Sequence, residues 1–378
     1  MAFLTGKTVL VTGGCGTVGR ELVRQIVSQC PAEVRVLDNN ESEIFFLEQE
    51  IDAQIKEEEA TDTCGVCHVA DIRDMDRLTS LFEGVDVVYH LAALKHVILC
   101  EKSPFDATQT NIIGVKNVIQ AALTNNVERV IFTSSDKAVD PTNVLGTSKL
   151  MGERLITAAN SMKINKRTIF SSTRFGNVLG SRGSVATVFQ RQIEAGGPVT
   201  LTDPEMTRFV MTLKEACRLV LQASEIARGG EVFVTKMPIL RIEDLARVMI
   251  NRLAPEYGRN PADIEITNIG SKAGEKFYEE LMSDEETRRT WELPTMFAVL
   301  PAFRSVYQEI EYDYPEVLRR QVTEPYVSST GEMMADPDIE DLLERCGVLP
   351  SSMDKLQPPV VPEQADVQSV DQSKERAA

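Results

Sequence analysis

The chain has 378 residues, 43% of them hydrophobic and 26% charged, and its 40 Lys+Arg against 57 Asp+Glu give a formal net charge of -17. Such a length accommodates one large or two moderate hydrophobic cores, and the acidic balance argues against non-specific nucleic-acid binding, which depends on basic patches that neutralise phosphates. No apolar run approaches the roughly 18 residues of a membrane span, residues 1–11 are too short an apolar run for a secretory signal, and the 7 cysteines suit a reducing compartment rather than a disulfide framework, so a cytoplasmic protein is expected.

Residues 7–11 form a short apolar run that leads into Thr12-Gly13-Gly14-Cys15-Gly16-Thr17-Val18-Gly19, and residues 20–29 have helical periodicity. Strand, glycine turn and helix in that order are the context of a dinucleotide fingerprint. Gly13 would make the tight turn, Gly16 would admit a pyrophosphate, and Gly19 would let the helix pack on its strand, with helix-start N–H groups facing the phosphates. A second strand, 33–37, ends at Asp38, roughly twenty residues past the glycines, where a carboxylate can accept from ribose hydroxyls and repel a 2′-phosphate. NAD is therefore expected rather than NADP. Asp38 is equally placed to cap the helix expected over 41–55.

A third strand is expected to end near Ala70, before Asp71-Ile72, and a fourth, 85–90, is followed by the small residues of Leu91-Ala92-Ala93. A long helix over 103–125 would turn Asn111 and Gly114 to the sheet. A fifth strand, 129–133, delivers Thr133-Ser134-Ser135-Asp136-Lys137, and Lys149 follows on the next helix. Alternation of this kind predicts an α/β fold with a doubly wound parallel sheet and its site at the carboxyl ends of the strands. The spacing Cys64-Gly-Val-Cys67-His68 matches a haem-attachment pattern, but it lies where a strand is expected, and no metal site is assigned. A sixth strand over 168–174 and helices over 185–194 and 213–228 follow. The expected division is a dinucleotide-binding domain over 1–175 with later strands interleaved, a smaller substrate-binding subdomain over 176–283, an extension over 284–349 and a disordered tail over 350–378.

The glycine turn and Lys149 resemble the extended short-chain dehydrogenase/reductases. More narrowly, the chain is similar to the polysaccharide-biosynthesis nucleotide-sugar 4,6-dehydratases, of which UDP-N-acetylglucosamine 4,6-dehydratase is the type. The blocks that carry the likeness are His90-Leu-Ala-Ala-Leu-Lys95-His96-Val97, Ser135-Asp136-Lys137-Ala138-Val139 with Pro141-Thr142-Asn143, the run from Arg174 to Ser184, the run from Gly197 to Thr207-Arg208-Phe209, and Gly274-Glu275-Lys276. The resemblance implies cofactor contacts from Thr12, Gly13, Gly16, Thr17, Val18, Gly19, Asp38, Asn39, Asp71, Ile72, Leu91, Ala92, Ala93, Lys95, Asn111 and Lys149. It implies substrate contacts from Lys95, His96, Asn177, Arg182, Arg208 and Glu275, the two arginines facing a diphosphate.

The implied reaction oxidises C4 of a nucleotide-diphosphate sugar, eliminates water across C5 and C6 and returns hydride to C6. Asp136 is then the acid to the leaving hydroxyl and Lys137 the base at C5, with Ser135 at the C4 hydroxyl and Lys149 on the nicotinamide ribose. A neutral Lys137 at pH 7 would cost about 4–5 kcal/mol, and Asp136 works against it. The tyrosine of the superfamily's Tyr-x-x-x-Lys is here Leu145, so the C4 proton must leave through Ser135, a water or Asp136. The competing expectations are a 4-epimerase, which has no use for a C5 base, and an inactive NAD-binding regulator. A homo-oligomer, dimer or higher, is implied by the resemblance.

Overall fold

The computed structural model describes residues 2–60, 62–181, 183–270, 274–302 and 310–349, so that Arg182 and the expected tail over 350–378 lie outside the described residues. The first half alternates β1 (Thr8–Thr12), α1 (Thr17–Val27), β2 (Glu33–Asp38), α2 (Glu41–Glu57), β3 (Cys64–Val69), α3 (Met75–Leu81) and β4 (Val87–His90). It continues with α4 (Val97–Lys102), α5 (Pro104–Thr108), α6 (Gly114–Thr124), β5 (Arg129–Thr133), α7 (Val144–Ala159) and β6 (Ile169–Arg174). Beyond it lie β7 (Asn177–Val178), α8 (Val185–Ala195), β8 (Val199–Leu201), β9 (Thr207–Met211), α9 (Leu213–Ile226), β10 (Val232–Thr235), β11 (Ile239–Arg241) and α10 (Ile242–Leu253). The remainder carries β12 (Ile266–Asn268), β13 (Glu280–Met282), α11 (Asp284–Thr287), β14 (Thr290–Glu292), β15 (Met296–Val299), β16 (Tyr326–Val327) and α12 (Asp336–Arg345).

Among the described residues the main sheet has nine strands in the order β14-β15-β10-β6-β5-β4-β1-β2-β3. The strands from β3 to β10 pair in parallel, whereas β15 runs antiparallel to β10 and β14 antiparallel to β15. Strand order reverses at the β1–β4 seam, where an open α/β sheet leaves a crevice for ligand. Alternation along each strand feeds two apolar layers. Val9, Val11 and Ile131 meet α1, α2 and α9, whereas Leu10, Val130 and Phe132 meet α3, α6 and α7. A separate core forms where α8, α10 and α12 close over β8 and β11 through Phe189, Ile193, Leu240, Leu245, Ile339 and Leu343. Within the expected extension, β14 and β15 join the sheet edge, β16 pairs with β13, and α12 belongs to this second core.

The expected long helix over 103–125 is interrupted. Gln109–Ile113 winds as a π-helix between α5 and α6, a one-residue insertion of a kind that often marks functional sites. The cap of α2 is Asn40, whose side chain accepts from Glu43 N, rather than Asp38.

Candidate active site

At the crevice, the glycine turn has the shape its sequence implies. Gly13 has φ +73°, and a Cβ there would sit 2.6 Å from Ala92 N; a Cβ on Gly19 would sit 2.3 Å from Gly13 O. On Gly16 a Cβ would meet Gly13 O alone, at 3.3 Å, which leaves that side of the turn open to a ligand. Gly14, not singled out by spacing, faces inward, where a Cβ would strike Val36 Cγ1 at 2.2 Å. Gly16 is the N-cap of α1 without a side-chain cap, so Thr17, Val18 and Gly19 open the helix with amides available to an anion. Asp38 ends β2 and accepts from Cys15 N (3.0 Å) and Asn40 N (3.1 Å), one bond per carboxylate oxygen. Each oxygen retains acceptor capacity for a ribose hydroxyl. This donor and acceptor set fits a dinucleotide.

The neighbouring strand ends complete the floor. Leu91 N donates to Thr12 O (3.0 Å), and Ala92 N reaches Thr12 Oγ1 (3.4 Å), which holds residues 91–93 against the glycine turn. Buried Asn111 clamps the following residue from the π-turn: Leu94 N donates to its Oδ1 (2.9 Å), and its Nδ2 donates to Leu94 O (3.0 Å) and Ser148 Oγ (2.9 Å). Its polar atoms are used within the protein, so Asn111 positions the loop rather than facing the crevice. Ile72 is likewise a core residue, 5% exposed, whereas Asp71 forms an ion pair with Arg73 at 2.5 Å. Lys95 and His96 are exposed at the rim.

At the end of β5 the chain turns through a short 3-10 helix, Asp136–Ala138. Asp136 is 1% exposed, and its Oδ1 accepts from Ser135 Oγ (2.5 Å), Lys137 N (2.9 Å) and Lys137 Nζ (3.1 Å). Its Oδ2 is buried without a hydrogen-bond partner among the described residues. Burial by itself would push the Lys137 ammonium down, but Asp136 and Glu279 outweigh it and hold its pKa above the ordinary lysine value. Lys149, one turn after Leu145 on α7, is buried, donates to Thr133 O (3.0 Å) and lies 4.7 Å from the centre of the Phe132 ring. Burial pulls its pKa down to about 8. Beneath it His90 shares a 2.7 Å hydrogen bond with Thr12 Oγ1, and burial together with the Lys149 charge pushes the imidazole down to about 3. Leu145 is 4% exposed and packs with Cys100 and Ala107, an apolar contact between α7 and the α4–α5 pair.

The later sequence blocks meet this turn from the other side. Lys276 Nζ donates to Val139 O (3.0 Å), and Thr142 Oγ1 and Asn143 Nδ2 each donate to Gly274 O (3.3 Å). Arg208 is 9% exposed and donates to the carbonyls of Thr207, Phe277 and Lys276 at 2.8, 3.3 and 2.9 Å. Its guanidinium also lies 3.4 Å from Glu279 and 3.7 Å from the exposed Glu275. The arginine expected to face a diphosphate is thus committed to protein groups. Asn177, on β7, donates to Phe209 O (3.3 Å).

Glu279 is the residue that sequence reasoning missed. It is 4% exposed, lies 3.6 Å from Lys137 Nζ, and has its pKa raised by burial and by Asp136. The available signal was its position three residues past Gly274-Glu275-Lys276, beside a second carboxylate at Glu280. Behind the site, Arg174 at the end of β6 joins Glu153 of α7 and Glu286 of α11, each at 2.7 Å.

With this geometry in place, comparison with known proteins is decisive at the level of family. Residues 9–301 match the family described as "Polysaccharide biosynthesis protein". The chain belongs to that family. A Methanocaldococcus jannaschii member described as an uncharacterized membrane protein is 50% identical over 299 residues, covering 79% of this chain and 87% of the relative. A UDP-N-acetylglucosamine 4,6-dehydratase (inverting) from Campylobacter jejuni is 34% identical over 309 residues, 81% of this chain and 86% of the relative. A UDP-glucose 4-epimerase from Rickettsia bellii is 37% identical over 299 residues, 78% of this chain and 82% of the relative. The chain spans about half the length of two other members, CapD of Staphylococcus aureus (46%) and EpsC of Bacillus subtilis (50%). Among solved structures, Pen from Bacillus thuringiensis superposes with a TM-score of 0.80 at 40% identity, covering 90% of this chain and 98% of that one. The architecture is that of an extended short-chain dehydrogenase/reductase, and no helix of the described residues is long and apolar enough to cross a membrane.

Proposed function

We propose that this nucleotide-sugar-modifying enzyme is an NAD-dependent 4,6-dehydratase, with UDP-N-acetylglucosamine as substrate and a 4-keto-6-deoxy sugar nucleotide as product. The observation that carries the reading is the joined set of Ser135, Asp136 and Lys137, with its 2.5 Å and 3.1 Å contacts, on the strand end beside Lys149. Bound NAD would accept hydride from C4 and return it to C6. Thr12, Gly13, Gly16, Thr17, Val18, Gly19, Asp38 and Lys149 are the groups that would hold it, with the loop at Leu91, Ala92 and Ala93 beneath.

The protein's own contribution is proton management. Leu145 has no acidic hydrogen to exchange, but Ser135 already donates to Asp136, so a C4 hydroxyl proton can pass through Ser135 to Asp136. Asp136 then has a proton for the departing C6 hydroxyl, which leaves as water. Lys137, once neutral, takes the C5 proton and gives it back to C5 in the product. Protons released at O4 and C5 equal those consumed at O6 and C5. The site therefore needs an ionised Asp136 and a neutral Lys137 at the outset, and the raised Lys137 pKa predicts activity that rises with pH. Asn177, Lys95 and His96 are positioned at the substrate side in this reading, and residues 176–283 form the substrate-binding half.

The epimerase reading draws on the Rickettsia relative. An epimerase returns hydride to C4 and leaves Lys137 without a task. NMR of the product formed from a panel of UDP- and GDP-sugars separates the two: a 4-keto-6-deoxy product is expected, and a C4 epimer would overturn the assignment. Homo-oligomerisation belongs to the same proposal. Ile98, Leu99, Phe105 and Met151 are exposed on α4, α5 and α7, helices that pack on one another. Sedimentation velocity is expected to show a dimer or higher species.

A further inference from the structure

Asp136, Lys137, Glu279 and Arg208 form a row of alternating charge. Lys137 Nζ is 3.1 Å from Asp136 Oδ1 and 3.6 Å from Glu279 Oε1, and Glu279 Oε1 is 3.4 Å from Arg208 Nε. Three of the four are at most 9% exposed, and the Lys137 side chain alone retains access at 28%. The row draws on three distant parts of the chain, the strand end with Asp136 and Lys137, Glu279 just before β13, and Arg208 on β9, and the Lys276–Val139 contact pins the first two together. We propose that Glu279 is a positioning residue of the elimination centre, a second carboxylate on Lys137 that governs when this lysine gives up its proton.

The proposal rests on the dehydratase reading for its consequence, but not for its geometry. The charged groups facing Lys137 are Asp136 and Glu279 as anions and Arg208 as a cation. Those facing Glu279 are Asp136, Lys137, Arg208 and Lys276. Deleting the Glu279 charge removes one of two anions that favour the ammonium, so Lys137 becomes neutral at lower pH. Arg208 keeps a partner if the replacement still presents a side-chain oxygen. Its two contacts to the carbonyls of Lys276 and Phe277 continue to hold that segment in place.

The test is competitive labelling of Lys137 by acetic anhydride across pH in the full chain, read by mass spectrometry, in parallel with the pH dependence of kcat/KM. In Glu279→Gln the labelling transition is expected to move to lower pH by about one pH unit. The rising limb of kcat/KM should move with it while KM stays unchanged. A lower rate at every pH with an unmoved transition would assign Glu279 a structural role only and overturn the proposal. If the Gln variant does not fold, Glu279→Asp, which retracts the carboxylate by one methylene, is expected to move the transition down by less, and no movement would overturn it. A moved transition without dehydration of any nucleotide sugar would uphold Glu279 and remove the reaction assigned to the pair. Dehydration with an unmoved transition would do the reverse.

Discussion

Lys137 is held by two carboxylates, whereas the proposed dehydration requires it neutral, and that tension defines the residue-scale chemistry. Lys137→Met keeps the length of the side chain without an amine, and is expected to lower dehydration by roughly 10²–10⁴-fold, with an unchanged circular-dichroism spectrum. Leu145 offers a complementary test. Its side chain is packed against Cys100 and Ala107, so Leu145→Tyr does not simply restore a proton acceptor. Overpacking is expected to destabilise the protein by about 1–3 kcal/mol, read as a lower Tm, without a gain in turnover. Asp136, Lys137 and Ser135 were legible in the sequence because they are contiguous, and a strand end places contiguous residues in one site. Glu279 was not, since nothing local marks a carboxylate whose partners are Lys137 and Arg208. Arg208 stood out within the Thr207-Arg208-Phe209 block, but its partners did not, because two of the three carbonyls it meets, those of Lys276 and Phe277, belong to a segment without a periodic pattern.

At the scale of elements, the βα units of the first half were readable from period-2 strands, period-3.6 helices and the glycine turn. The π-turn at Gln109–Ile113 was not, because an inserted residue leaves hydrophobic spacing nearly intact while shifting which polar residue reaches the loop. Asn111 owes its bonds to Leu94 and Ser148 to that shift. The glycine turn has sharper limits than its spacing alone implies. Gly19→Ala places a methyl 2.3 Å from a backbone oxygen, and a rigid backbone has little room to yield. This variant is expected to lose roughly 1–3 kcal/mol of stability and to bind NAD more weakly by calorimetry. Gly16→Ala, with only one contact at 3.3 Å, is expected to retain its Tm while weakening NAD binding.

Across the whole molecule, Arg174 links β6, α7 and α11 through two buried carboxylates. Burial would raise the Glu286 pKa, but the Arg174 charge wins and holds it at about 2, against 4.5 for a free side chain. A depressed carboxyl pKa stabilises the fold above the unfolded value and loses that contribution as pH falls through the folded value. Acid unfolding should therefore draw on Glu286 between pH 4.5 and about 2, by about 3 kcal/mol at most. Glu286→Gln is expected to lower Tm at pH 7 and to flatten its fall across that window. Arg174→Met strands two carboxylates and should cost about 3–5 kcal/mol.

The sheet order has a consequence for how the chain can be divided. β10, β14 and β15 lie beyond Arg174 and are interleaved in the chain with the residues of the second core, yet they continue the sheet outward from β6. A fragment stopped at Arg174 would keep the glycine turn, Asp136 and Lys149, but it would present the whole hydrogen-bonding edge of β6 to solvent. Bare edges of that kind recruit strands from other copies. Such a fragment is expected to aggregate rather than serve as a minimal cofactor-binding unit, and a useful cut would have to carry the strands through Val299.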